Sequence, residues 1–197
     1  MATARTGINL ELAAASDVLN VACELRPLQA TLVPENRQEV TTEGGLNLSN
    51  EEARVSLAQA VERLKDNGIR TSLFIDPETG ALERSKELGA HAVELHTGEY
   101  ANARGEKRGE ELGRLAAMAR KGREMGLSVH AGHGLTYENV TPVAAIPEIE
   151  ELNIGHSIVS RAVFVGLERA VREMWDLLQG ASAMVPRGGE WFPPVGF

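Results

Sequence analysis

The chain has 197 residues, a net charge of −8 and 43% hydrophobic residues, of which few are aromatic. That length and composition support one folded domain with a core of Ala, Val, Leu and Ile rather than a disordered chain. The acidic balance excludes nucleic acid as the main partner, because a phosphate backbone needs a basic face; it leaves open a small phosphorylated ligand held by backbone N–H groups.

In chain order, "INLELA" (8–13) reads as a strand, and Ser16 or Asp17 can cap a helix that runs through Glu24. Within that helix Cys23, the single cysteine, excludes an internal disulfide and reads as a small buried hydrophobe. "QATLVPE" (29–35) is the next strand, and a polar loop follows over 36–50. Ser49 or Asn50 caps a helix from Glu51 to Asn67. Its Val55, Leu57, Ala58, Val61 and Leu64 fit the helical period, and Gly68 stands where a C′ glycine belongs. "IRTSLFID" (69–76) is a β-rich strand. Pro77 suits the first position of a helix that ends at Leu88, before Gly89. "AHAVELHTG" (90–98) is a strand, and a long helix spans about Gly109 to Met125. "LSVHAG" (127–132), a short turn near Pro142 and "ELNIGHS" (151–157) lead to a final helix from Ile158 to Leu178. Residues 181–197 are rich in Gly and Pro without periodicity, and are expected to be a disordered tail beyond a domain spanning 1–180. No apolar run nears the roughly 18 residues of a membrane span, and "MATARTG" has no apolar leader core.

Six alternations of strand and helix point to a parallel α/β fold, either doubly wound or a barrel. No G-x-G-x-x-G follows any strand, which weakens a dinucleotide-binding reading. Glu11, Glu35, Asp76, Glu94, His96, His133 and His156 all fall toward the C-terminal ends of their strands. In a barrel those ends form one mouth, where the chemistry sits. Six units over residues 8–180 leave about 29 residues each, whereas a full barrel takes about 250 in all. The expected fold is therefore an incomplete (β/α)8 TIM-barrel type with six parallel β/α units and two units missing.

Several side chains stand where chemistry could use them. His133 lies between Gly132 and Gly134, whose missing Cβ atoms let a ligand approach the backbone. A metal, a proton transfer, a phosphate or a plain structural role would each suit it, and imidazole is the best general acid near neutral pH. His130, three positions upstream, is expected on the opposite strand face, which argues against a shared metal. Glu94 and His96, two apart, share a face that should point into the barrel. Glu11 is a carboxylate in an apolar strand; burial would raise its pKa and suit it to accept a proton. Gly155 precedes the last helix and leaves room for a phosphate at the helix N-terminus. The loop over 36–50, with Arg37, Glu39 and two threonines, is long enough to suggest function and could fold over the mouth.

The segments "INLELA", "LVPENRQEVTTEGGL", "SLFID", "ELHTGEYA", "HAGHGLTYENV" and "AAIPEIEELNIGHSIVSRAVFVGLERAV" follow one another as in the pyridoxine 5′-phosphate synthase family, and the resemblance covers about residues 8–180. It implies a cytoplasmic enzyme of vitamin B6 biosynthesis, an octamer, working without an organic cofactor or a metal. Its substrates would be 3-amino-2-oxopropyl phosphate and 1-deoxy-D-xylulose 5-phosphate. By position it makes Glu11 a proton acceptor, Glu94 a transition-state stabiliser and His133 the proton donor. It makes Thr41 a contact to the deoxyxylulose phosphate, and Gly134, Gly155 and His156 contacts to the aminooxopropyl phosphate. The family's opening strand with N-x-D-H and its second unit are absent, so the alternative is an inactive truncated remnant that at most binds phosphorylated ligands or partner subunits.

Overall fold

The computed structural model describes residues 6–34 and 44–183. Its strands are the short apolar runs: β1 (Asn9–Leu12), β2 (Gln29–Leu32), β3 (Arg70–Ile75), β4 (Ala92–His96), β5 (Ser128–Gly132) and β6 (Glu151–Asn153). They form one parallel sheet in which spatial order equals chain order. Parallel neighbours need a crossover, which helices on the outer face supply. These are α1 (Ser16–Leu25), α2 (Glu51–Asp66), α3 (Thr79–Glu87), α4 (Gly98–Asn102), α5 (Gly105–Glu124) and α6 (Val140–Ala144); α7 (His156–Val165) and α8 (Leu167–Ala183) follow the last strand.

Side chains alternate across the sheet. Leu73, Val93, Leu95, Val129 and Ala131 are fully buried beneath the helices. The other face carries Phe74, Glu94, His130 and Glu151 in one register row, and Asn9, Gln29 and Arg70 in another. This second face lines the hollow of a curled half-barrel. β1 and β6 make no backbone ladder with each other among the described residues. Their side chains nevertheless meet across the hollow, where Asn9 Nδ2 donates to Glu151 Oε1 at 3.4 Å. The fold is the incomplete barrel with six parallel units that the sequence suggests, with the expected gap between its first and last strands.

Several boundaries move, each for a local reason. α2 is capped as expected by Asn50, whose Oδ1 accepts from Ala53 N–H, and it ends before Gly68 at φ +73°. Of its expected core positions Leu57, Val61 and Leu64 are buried, but Val55 and Ala58 are exposed and Ala60 takes the inner place. The buried stripe is narrower because only one side of the helix meets the sheet. The cap of α1 is Ala15, not Ser16 or Asp17, and Asp17 Oδ1 instead accepts from Val18 N–H. Cys23 in α1 is half-buried rather than buried. Glu78 N–H donates to Asp76 C=O, and this turn delays α3 to Thr79, so Pro77 stands before the helix instead of opening it. α4 begins at Gly98, the end of the expected strand, and α5 starts at Gly105 rather than about Gly109. β6 stops at Asn153, four residues short of Ser157. The single final helix is two, divided at Gly166, whose φ of +84° ends α7. α8 continues to Ala183, past Leu178; the rest of the expected tail, 184–197, lies outside the described residues.

Candidate active site

A cavity of about 770 Å3 opens at the C-terminal ends of the strands. Glu11 from β1, Phe74 from β3, Glu94 from β4, His133 and Gly134 after β5, and Gly155 and His156 after β6 all line it. Six of the seven site residues expected from the sequence thus share one cavity. The seventh, Thr41, lies outside the described residues, as do Glu35, Arg37 and Glu39.

Glu94 is the most perturbed group of the site. Its side chain is buried at mid-sheet, where Asn153 Nδ2 donates to Oε2 at 2.6 Å. Burial pushes its carboxyl up to about 7, and the nearby Glu11 and Glu151 add to the rise against the pull of Asn153. Gly132 makes this placement possible, because a Cβ there would overlap Glu94 Oε1. Glu11 is exposed on the open side of the cavity. The burial expected for Glu11 therefore belongs to Glu94, since β1 is an edge strand and β4 is not.

His133 stands one residue beyond β5 with φ +84°, a left-handed conformation that a non-glycine residue adopts at some energetic cost. Thr97 holds that turn. Its N–H donates to Gly132 C=O at 2.9 Å, and its buried hydroxyl lies against the carbonyls of Gly132 and His133. Burial lowers the pKa of His133, and His96 lowers it further. The turned backbone also overrides the expectation that His130 and His133 point to opposite faces. Both serve the hollow, at different depths. His130 lines a smaller pocket with Gln29, Arg70 and Glu151 at the far end of the strands, so the two imidazoles do not converge on one ion.

His96 shares the inward side of β4 with Glu94 but lies behind the cavity wall. Its Nδ1 pairs with Asp76 Oδ1 at 3.1 Å, and this bond holds the Asp76 carboxyl below its ordinary value. Gly155 caps α7, with open space where a Cβ would stand, and His156 opens that helix two residues earlier than expected. Ser157 Oγ donates to Leu135 C=O at 2.8 Å and so ties α7 to the loop after β5. Two residues that matter here escape sequence reasoning, Asn153 and Thr97. Asn153 sits two positions after Glu151 on the same strand, a spacing that places both side chains on one face; Thr97 left no local signal, because its partners are 35 residues away.

The family model described as pyridoxal phosphate biosynthesis protein PdxJ matches residues 1–180. A pyridoxine 5′-phosphate synthase of Synechococcus sp. is 55% identical over 177 residues, which covers 90% of this chain and 71% of that protein. Another, from Trichlorobacter lovleyi, is 52% identical over 178 residues, covering 90% and 74%. Among solved structures, the BexX/CysO complex of Amycolatopsis orientalis superposes with a TM-score of 0.52 at 11% identity over 88% of this chain and 65% of that one, a likeness of fold alone.

Proposed function

Since the chain belongs to the PdxJ family of pyridoxal phosphate biosynthesis proteins, we propose that its cavity is the ring-closing site of pyridoxine 5′-phosphate synthesis. The reaction condenses 3-amino-2-oxopropyl phosphate with 1-deoxy-D-xylulose 5-phosphate and releases inorganic phosphate and water. The observation that carries this reading is the convergence of Glu11, Glu94 and His133, from three different strands, on one cavity beside Gly134, Gly155 and His156. Ring closure needs repeated proton transfers around an imine and a carbonyl, and these are the groups that perform them. The same convergence favours an enzyme over an inactive remnant.

The roles follow from the environments. Glu11, open to the cavity, accepts a proton from the amine or from the carbon next to the carbonyl. Glu94 titrates at about 7, so near neutral pH much of it carries a proton that can be directed at a developing oxyanion. His133 has a lowered pKa; its ring enters the cycle neutral, takes a proton from the bound intermediate and returns it to the leaving oxygen. The aminooxopropyl phosphate sits over Gly134, Gly155 and His156. There the open space at Gly155 leaves the first N–H groups of α7 free for an anion. Thr41 contacts the other phosphate. The working protein is a cytoplasmic homo-octamer.

The test is direct. Purified protein supplied with both substrates should form pyridoxine 5′-phosphate and inorganic phosphate in equal amounts. Failure of the purified protein to form either product would overturn the proposal.

A further inference from the structure

We propose that Asp76 and His96 are positioning residues that hold the His133 imidazole in its working orientation, a role that rests on reading His133 as the proton-transfer group. The His133 side chain makes no hydrogen bond among the described residues, although Thr97 fixes its backbone. Its ring is therefore set by packing, and the ring beside it is His96, with centroids 5.0 Å apart and planes at 58°. Phe74 completes a cluster of three rings, edge to face with His96 at 5.2 Å and tilted against His133 at 6.4 Å. His96 is itself locked. A carboxylate can only accept, so the Nδ1 that faces Asp76 Oδ1 at 3.1 Å carries the proton. Its Nε2 is buried without a partner, against Gly98. A Cβ at Gly98 would overlap that nitrogen and would also lie 3.5 Å from His133 Cδ2. Gly98, His96 and His133 thus form one packed unit; among the described residues Asp76 is the polar anchor of its side chains, as Thr97 is of its backbone.

Asp76 in turn reaches the loop that follows β2. Its Oδ1 accepts from Gly45 N–H at 3.0 Å, and a Cβ at Gly45 would overlap the Ile75–Asp76 backbone. A plain structural role would leave the chemistry of His133 untouched, whereas a positioning role would not. The other titratable groups facing His133 are Glu11 of β1, Glu94 of β4 and His156 of α7, all on the cavity wall. Arg114 of α5 is the charged group that approaches Asp76 from outside.

Two readouts separate the possibilities, both on the full chain. In NMR titration of the histidine Cε1–H signals, His96→Asn should raise the His133 midpoint, because it removes the neighbouring ring that lowers the His133 pKa alongside burial. In turnover, His96→Asn and Asp76→Asn should each lower kcat about tenfold with KM within twofold, and Asp76→Glu should recover part of the loss. Melting curves confirm that each variant is folded; if His96→Asn is not, His96→Gln takes its place. An unmoved His133 midpoint in the folded His96 variant, or unchanged kcat in folded Asp76→Asn, would overturn the proposal. His133→Asn with full kcat would instead overturn the proton-transfer reading, whatever the Asp76 and His96 variants show.

Discussion

β4 is buried along its whole length, whereas in β6 Glu151 is exposed and the two residues after it are only half-buried. The difference follows from position. β4 has a neighbour on both sides, and β1 and β6 have one each. The covering helices repeat the pattern. Apart from Val55 and Leu28, which stands just before β2, every large hydrophobic residue that is exposed among the described residues lies on α1, α7 or α8, the helices that follow the edge strands. Phe164 is 85% exposed, while Leu115 on α5 is 2% exposed. The centre of the sheet is therefore the buried part of the site. Glu94 and His96 can be buried because each finds a polar partner, Asn153 reaching in from β6 and Asp76 just beyond β3. The edges supply Glu11, Gly155 and His156 from strands that water still reaches. A buried carboxyl is tuned by the fold; an edge carboxyl is left to its substrate.

Substitutions at the centre and at the edges of the sheet should differ in their effects. The largest effect is expected at the chemistry. His133→Asn should lower kcat by about a thousandfold, the middle of the range for a lost general acid or base; a loss under about tenfold, measured at saturating substrates, would remove His133 from the mechanism. Next comes packing. Leu95→Ala in β4 should cost about 3 kcal/mol in urea unfolding, and Leu152→Ala in β6 about 1 kcal/mol, since a half-buried side chain leaves a smaller cavity. Equal costs would contradict the contrast between centre and edge.

The third effect depends on pH. The folded-state value of Glu94 is about 7, above the ordinary 4.5. The native state therefore holds this proton more tightly than the unfolded chain. The stability it contributes is present in full below about pH 4.5, and is lost as the pH rises to about 7. Glu94→Gln should thus melt near the parent at pH 4.5 and be more stable at pH 8, by at most about 3 kcal/mol. A uniform offset at both pH values would show that burial does not set this carboxyl. The smallest effect is at the exposed face of α7. Val163→Ser with Phe164→Ser should change stability by less than about 0.5 kcal/mol, yet weaken self-association in sedimentation, because exposed apolar patches of this kind mark contacts. Unaltered association would assign the proposed oligomer contact to another face.

Much of the fold is written in local patterns along the chain. Strand and helix types are local choices of period, cap and glycine, so all six strands, the Asn50 cap and the Gly68 stop were legible along the chain. So were Glu11, Glu94 and His133, because each is a polar residue at or near the C-terminal end of an apolar run. Other features depend on distant neighbours and were not legible. Which of the two glutamates is buried depends on which strand has two partners, and no local pattern of "INLELA" or "AVELH" states that. The turned backbone of His133 depends on a threonine 36 residues away. The division of the last helix at Gly166 has no signal in the helical pattern; Gly166 takes a positive φ where α7 gives way to α8, which packs against it. Tertiary structure alone decided the neighbours, and through them the desolvation and hydrogen bonding that set each group's proton affinity.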